Sequence, residues 1–338
     1  MPSKYAEAHK STNGPGDARP TALQIVEDEG LIGKLAGKVF LISGCSSGLG
    51  VETAKALATT GATLYLTARN IPAAEAALVG ILKPGQVEII EMDLSSLAGV
   101  RAGAERFLAK STQLNVLICN AGVMAIADLT TTVDGFETQF AVNHLGHFLL
   151  FQLLKDTLLA SSSPNYSSRV VAVSSSGHRG GGIRLDDYSY TKRPDEYNMW
   201  GAYAQSKTAN IYMTNEIERR FGSQGLHATS LMPGAISTGI QRYLPSEEAA
   251  EYARSTWKTM KSPAQGAATT VLAAIAKEFE NKGGVYLENC EVAGLYPDDR
   301  EYDHVPDIAG YAEHAFNEEL EHQVWTDSLK MVNGGSVL

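Results

Sequence analysis

Cysteine is scarce: only Cys45, Cys119 and Cys290 occur in 338 residues, far apart and odd in number. That excludes a disulfide framework or a clustered metal site and points to free thiols in a reducing compartment. Long hydrophobic runs are missing as well. No stretch could span a bilayer, and the opening MPSKYAEAHKSTNGPGDARP has no apolar core of the signal-peptide kind. The expectation is a cytoplasmic protein with no membrane anchor. Basic charge is in deficit, with 28 Lys and Arg against 38 Asp and Glu, a formal net charge of -10. Binding phosphate backbones needs a basic footprint, so nucleic acid is not an expected partner. What is present is ordinary globular composition, 44% hydrophobic and 20% charged.

Short apolar, β-branched runs alternate with longer helical patterns. The runs are Val39–Ile42, Thr63–Thr67, Val87–Met92, Val116–Cys119, Val170–Val173, His227–Leu231 and Val285–Leu287. Between them, Val51–Thr60, Val133–Leu159 and Tyr203–Phe221 read as helices. Strands of this type are buried on both faces, and the helices serve as right-handed crossovers. The predicted fold is α/β: a Rossmann-type, doubly wound, mostly parallel seven-stranded sheet with helices on both faces.

No linker divides the pattern. Residues 1-35 read as an N-terminal arm, flexible to about residue 20, with room for a short helix within Thr21–Leu35. Residues 36-338 read as one domain. Within it, Gly177–Trp200, Gly239–Pro263 and a C-terminal extension over 291-338 look inserted or appended, the last ending in a helix near Glu318–Val332.

The segment Leu41-Ile42-Ser43-Gly44-Cys45-Ser46-Ser47-Gly48-Leu49-Gly50 closes the first strand and opens a helix. Glycines suit a turn whose backbone must approach a pyrophosphate, and the helix N-terminus then supplies N–H donors. A simple tight turn is the bland alternative; the position within a βαβ rhythm favours the phosphate cradle. The second strand ends at Arg69 without an acid. An acid there would bind ribose hydroxyls and repel a 2′-phosphate, whereas Arg69 would attract one, so NADP(H) is favoured over NAD(H). A solvated loop arginine is the alternative. Asp93, ahead of Leu94, has two compatible roles, capping the next helix or hydrogen-bonding an adenine amino group.

Tyr203 and Lys207 stand one helical turn apart, on one face. A free phenol has a pKa of about 10, too high for a base near neutrality. A neighbouring ammonium stabilises the phenolate. Alone, such a pair occurs on many surface helices. His144, His147 and His178 lack a carboxylate or cysteine cluster beside them, so no metal site is expected.

Gly44-x-x-x-Gly48-x-Gly50, Asn120-Ala121-Gly122, Asn143, Ser174-Ser175-Ser176, Tyr203-x-x-x-Lys207 and Pro233-Gly234 follow one another in an order that resembles the short-chain dehydrogenase/reductase family. The wording of Val142–Phe148, Arg169–Ser175 and Gly283–Cys290 is similar to its retinol-dehydrogenase-like and WW-domain-oxidoreductase-like branch. The resemblance runs over roughly residues 35 to 335.

It implies a four-residue active site. Tyr203 would exchange a proton with the substrate oxygen, and Ser175 would orient that oxygen, with Ser174 and Ser176 as alternatives. Lys207 would support Tyr203 and bind the nicotinamide ribose, and Asn143 would anchor a water leading to Lys207. Cofactor contacts would come from Gly44, Ser46, Ser47, Gly48, Leu49, Gly50, Arg69, Asp93, Leu94, Asn120, Ala121, Gly122, Tyr203, Lys207, Pro233, Gly234, Ile236 and Thr238. Asn120 and Asn143 as structural hydrogen-bonders, and Pro233-Gly234 as a plain turn, are the bland alternatives.

The implied activity is hydride transfer between nicotinamide C4 and a carbonyl or alcohol carbon, with NADP(H) favouring ketone or aldehyde reduction. Gly239–Pro263 takes the substrate-lid position, and its Tyr243, Leu244, Tyr252 and Trp257 suit a small apolar or aromatic substrate. The Tyr188, Tyr190, Tyr197, Met199 and Trp200 group forms either a substrate wall or a loop packed on its own aromatics. A homodimer through the helices carrying Asn143 and Tyr203 is compatible with the family, unless the C-terminal tail covers that surface. Two other activities share these motifs: a cofactor-sensing, non-catalytic binding protein, and an extended-type epimerase or dehydratase. The latter favours Gly-x-x-Gly-x-x-Gly, unlike the spacing here.

Overall fold

A computed structural model of the protein describes residues 3–297 and 309–334. Seven parallel strands form its sheet: β1 (Val39–Ser43), β2 (Thr63–Ala68), β3 (Val87–Glu91), β4 (Val116–Cys119), β5 (Ser168–Val173), β6 (Leu226–Met232) and β7 (Val285–Glu288). A two-residue strand, β8 (Glu291–Val292), pairs antiparallel with β7 and makes the sheet eight-stranded in the order β3-β2-β1-β4-β5-β6-β7-β8. The seven expected runs are therefore all strands. The eighth is too short to leave an apolar signature.

Side-chain alternation divides each strand between two cores. Phe40 and Ile42 of β1 enter one core, with Leu57, Val271 and Leu272; Val39 and Leu41 enter the other, with Phe148, Phe151 and Trp325. The chain passes from β1 outward to β2 and β3, then returns to pair β4 on the other side of β1. Neighbouring connections thus leave toward opposite faces at the carboxyl ends of β1 and β4, the position at which doubly wound sheets open a crevice.

Two sequence expectations change, whereas the short helix expected within Thr21–Leu35 forms as Ala22–Asp28, capped by Thr21. The helical pattern Val133–Leu159 resolves into a short turn at Thr138–Phe140, a π-helical turn at Ala141–Leu145 and the helix Gly146–Ser161. The arm expected to be flexible is packed: Arg19 is buried, its guanidinium donating to Thr259 O (2.6 Å) and Gly14 O (3.1 Å).

The helix Glu318–Val332 does form. It lays Val324, Trp325 and Met331 on the Gly146–Ser161 and Met199–Phe221 helices, which are the helices that the family resemblance offers for a dimer. Residues 298–308 and 335–338 of the expected C-terminal extension lie outside the described residues. Among the described residues, no helix is long and apolar enough to cross a membrane.

Candidate active site

The strand ends open into one large cleft of about 1290 Å³. Its first wall starts at the β1 turn. Gly44 has φ +76°, and a β-carbon there would stand 2.8 Å from Ala121 Cα, so the turn needs both glycine's conformation and its missing side chain. Gly48 is the N-cap of the ten-residue helix Leu49–Ala58, with φ +63°. Thr21, Asn70, Ser96, Asn198 and Asn317 cap other helices with their side chains. Glycine brings no such cap, and this helix end, with Ser46, Ser47 and Leu49, faces the cleft. A turn with glycine at each end, leading into a helix N-terminus, fits a pyrophosphate. Gly50 is the exception. It does not line the cleft, because a β-carbon there would overlap the Gly44 carbonyl and stand 2.7 Å from Asn120 Nδ2. Its role is close packing of helix on strand.

Arg69 is exposed at the rim of this wall, and Asp93 and Leu94 line it further in. Asp93 does not cap the next helix. Its Oδ1 accepts from the Ser95 N–H (2.9 Å) and Oγ–H (2.7 Å), while Ser96 caps the helix Leu97–Leu108. Asn120, Ala121 and Gly122 line the middle. Asn120 Nδ2 donates to Ser43 O (2.8 Å), so this residue is a structural hydrogen-bonder and a wall residue together.

A buried relay behind this wall had no legible sequence signal. Ser43 Oγ accepts from the N–H groups of Asn120 (2.9 Å) and Ala121 (3.0 Å) and lies 2.8 Å from His147 Nε2; His147 Nδ1 lies 2.9 Å from Asn143 O. One tautomer satisfies both imidazole contacts: Nδ1–H donates to Asn143, and Nε2 accepts from the serine. Burial pushes the His147 pKa down to about 4 and that of His144 to about 3, so both rings stay neutral near pH 7. Among the described residues, no group of three or more His, Cys, Asp or Glu is arranged to hold a metal.

The chemistry-bearing residues meet at the ends of β5 and the Met199–Phe221 helix. Ser175, Tyr203 and Lys207 all line the cleft. Gly177 lies between two of them: a β-carbon there would stand 2.9 Å from Tyr203 Cε1 and 3.3 Å from Ser175 Oγ. Ser175 Oγ accepts from the Gly177 N–H (3.0 Å), which leaves its own proton to donate. Ser174, one of the alternatives, donates its hydroxyl to Lys207 O (2.8 Å) from a buried position. Ser176 also lines the cleft, and its N–H meets Met232 Sδ.

Lys207 Nζ donates to Val173 O (3.0 Å) and sits 5.6 Å from the Tyr203 ring centre. Burial pulls its pKa down to about 8, so the ammonium remains charged near pH 7. Asn143 is fully buried and does not line the cleft. Its amide exchanges hydrogen bonds with Val123 and donates to Ser206 Oγ (2.9 Å), which in turn donates to Tyr203 O (2.7 Å). The side chain therefore ties the Gly122 turn to the Tyr203 turn.

Pro233, Gly234, Ile236 and Thr238 follow β6 on the far side of the cleft. Gly234, at φ +114°, lies over the buried Lys261, whose ammonium donates to Pro233 O (3.3 Å) and Asn289 Oδ1 (3.0 Å). Lys261 escaped sequence reasoning because a lysine in a charged stretch reads as solvated surface.

The second wall comes from the two inserted stretches. Tyr190 and Trp200 line the cleft, whereas Tyr188 is buried with its hydroxyl donating to Asp327 (3.0 Å), and Tyr197 donates to Ile126 O (2.7 Å). Tyr190 thus faces the cleft while packing edge-on against Tyr197, and Tyr188 belongs to the core beside Phe140. In the lid segment, Leu244 and Tyr252 line the cleft. Tyr243 sits beside the Arg242 guanidinium, and Trp257 packs over Gly14 of the arm.

Comparison with known proteins agrees with this geometry. The family model for short chain dehydrogenases matches residues 38–249. The short-chain dehydrogenase/reductase prx1 of Penicillium roqueforti is 51% identical over 332 residues, covering 98% of this chain and 95% of its own. Retinol dehydrogenase 12 of Mus musculus is 40% identical over 267 residues, 76% of this chain and 79% of its own. A solved structure of an uncharacterised protein from Mycobacterium paratuberculosis matches with a TM-score of 0.67 at 31% identity, over 94% of this chain and 98% of that one.

Proposed function

This chain belongs to the short-chain dehydrogenase/reductase family of nicotinamide-dependent oxidoreductases, and we propose that it uses NADPH to reduce the carbonyl group of a small apolar or aromatic ketone or aldehyde. The observation that carries this reading is the convergence of Ser175, Tyr203 and Lys207 in the same cleft as the glycine-bounded Gly44–Gly48 turn. A reduced nicotinamide, when bound, supplies a hydride for the carbonyl carbon.

The chain's own residues handle the oxygen. The Ser175 hydroxyl, which accepts from the Gly177 N–H, donates its proton to the substrate oxygen and stabilises charge as it develops there. The Tyr203 hydroxyl gives that oxygen its proton, producing the alcohol. Lys207 holds positive charge beside the phenol and favours its ionised form after that transfer. Asn143 fixes the turn that carries Tyr203. Arg69 supports the NADP preference, as an exposed cation that follows β2 and lines the cleft. Met124, Tyr190, Trp200, Leu244 and Tyr252 support the apolar substrate. Three buried free thiols support a reducing, cytoplasmic setting.

The test is a panel of aldehydes and ketones, aliphatic and aromatic, incubated with NADPH or NADH and followed by absorbance. Turnover with NADPH, lost by at least about a hundredfold in Tyr203→Phe while NADPH still binds, is expected. Equal turnover in Tyr203→Phe would overturn the mechanism. A wild-type protein that binds NADPH but reduces nothing in the panel would favour a cofactor sensor.

A further inference from the structure

Ser175 begins a single 3-10 turn, Ser176–Gly180, whose outer side is held by the C-terminal extension. His178 stands at the centre of that turn, fully buried. Its backbone N–H (3.1 Å) and its Nδ1 (2.6 Å) both meet the Ser175 carbonyl. Its Nε2 accepts the N–H of Ala312 at 3.0 Å. Because an N–H can only donate, Nε2 must be unprotonated, and the neutral ring carries its proton on Nδ1, aimed at Ser175.

The segment around Ala312 is fixed in turn. Arg179, next to His178, donates to Gly310 O (2.7 Å) and to the buried Glu288 (2.8 Å), and Glu288 also accepts from the Gly310 N–H (3.0 Å). His314 Nε2 lies 3.0 Å from the His178 carbonyl, and Thr208, one residue past Lys207, donates to that carbonyl (3.4 Å) and to Gly181 O (3.0 Å). Residues distant in sequence from the catalytic group thus set the tautomer of the side chain that clamps the Ser175 backbone.

We propose that His178 is a positioning residue for Ser175, and that the Gly310–His314 segment of the C-terminal extension is the brace that gives it this role. The inference rests on Ser175 orienting the substrate oxygen, as argued above. With its carbonyl clamped from behind and its Oγ accepting from Gly177, Ser175 is held on both sides and keeps its own hydroxyl proton to donate. Burial keeps His178 neutral, its pKa pushed down to about 3, so the clamp does not change with protonation near neutral pH.

Two amide substitutions separate the halves of the device. His178→Asn places an amide nitrogen where Nδ1 stands and keeps the bond to Ser175, giving up Ala312. His178→Gln reaches Ala312 with its carbonyl oxygen and gives up Ser175. With NADPH and the panel aldehyde that wild type reduces fastest, His178→Gln should lose kcat by about tenfold, the scale of a modestly misplaced catalytic group. KM and NADPH affinity should stay within about twofold. His178→Asn should keep most of its kcat while melting at a lower temperature. In a Ser175→Ala background, His178→Gln should cost nothing further in kcat.

Equal damage from both amides, or the same loss with and without Ser175, would reduce His178 to a packing residue and overturn the inference. Full activity of Ser175→Ala alone would instead overturn the assignment of Ser175 itself. Nitrogen NMR of histidine in the wild-type protein, assigned with His178→Asn, gives a check that survives poor folding of the glutamine variant. A neutral Nδ1–H tautomer is expected, and a charged or Nε2–H ring would contradict the clamp.

Discussion

The two walls of the cleft are built in different ways. The cofactor-side wall is made of strand ends and the turns that leave them, and its backbone is pinned from behind by Ser43, Asn120, His147 and Asn143. The substrate-side wall hangs on excursions of the chain. Every residue of the lid helix Ser246–Ser255 is half-buried or exposed. That helix is anchored at its base, where Arg19 holds the Thr259 carbonyl and Gln265 donates to the backbone of Asp17 and Arg19. A wall that must meet one dinucleotide can be part of the core, and a wall that sets substrate choice can vary without disturbing the sheet. The N-terminal arm packs at the base of the second wall, though it is far from it in sequence.

If the first wall is rigid, one methyl group should damage it badly. Gly44→Ala forces a positive φ on a side-chain residue, costing roughly 1–2 kcal/mol, and drives its β-carbon into the Ala121 backbone. NADPH affinity, read by fluorescence quenching, should fall by at least about tenfold, with a melting temperature lower by a few degrees. Unchanged affinity would mean that the cradle yields, and the contrast between the walls would fail.

The second wall should respond more gently. Leu244→Ala with Tyr252→Ala removes apolar contact from the lid without touching a strand. KM for an aromatic substrate should rise about threefold to thirtyfold, with kcat and NADPH affinity changed much less. A selective collapse of kcat would move the lid from substrate binding into the assembly of the catalytic groups.

The difference between the walls also governs how much was legible in the sequence. Strands such as Leu41-Ile42 and Val170-Val171 are continuous apolar runs because both faces are buried, and that signal survives without the structure. Gly44, Gly48, Ser175, Tyr203 and Lys207 could be read because their spacing is local and tied to strand ends. Long-range hydrogen bonds left no such mark: Lys261 under Gly234, Ser43 to His147 and His178 to Ala312 each join segments that no period connects. The π turn at Ala141–Leu145 escaped because helical periodicity continues across it. The packed arm escaped because small polar residues read as a flexible arm, whereas its order comes from Arg19 meeting carbonyls more than two hundred residues away.

The smallest expected effect tests where the second wall is fastened. Glu137 is fully buried and accepts the N–H groups of Gln139 (2.9 Å) and Phe140 (2.7 Å), while its own N–H donates to Ser189 Oγ (3.1 Å). Gln139 then donates to Met199 O (2.9 Å), so this turn carries the Tyr190–Trp200 side of the wall. Burial raises the Glu137 pKa from 4.5 to about 7, against the two backbone N–H groups that favour the carboxylate. Between those values the folded protein keeps a proton that the unfolded chain has released. Stability from this group is therefore full below pH 4.5, declines as pH rises and is gone above about 7. The change is at most roughly 3 kcal/mol. Denaturant unfolding at the two ends of this window should show Glu137→Gln lacking that decline, with kcat nearly unchanged and a KM shift confined to aromatic substrates. Parallel stability curves for wild type and variant would show that Glu137 ionises as an ordinary glutamate, and that the second wall is fastened by its packing alone.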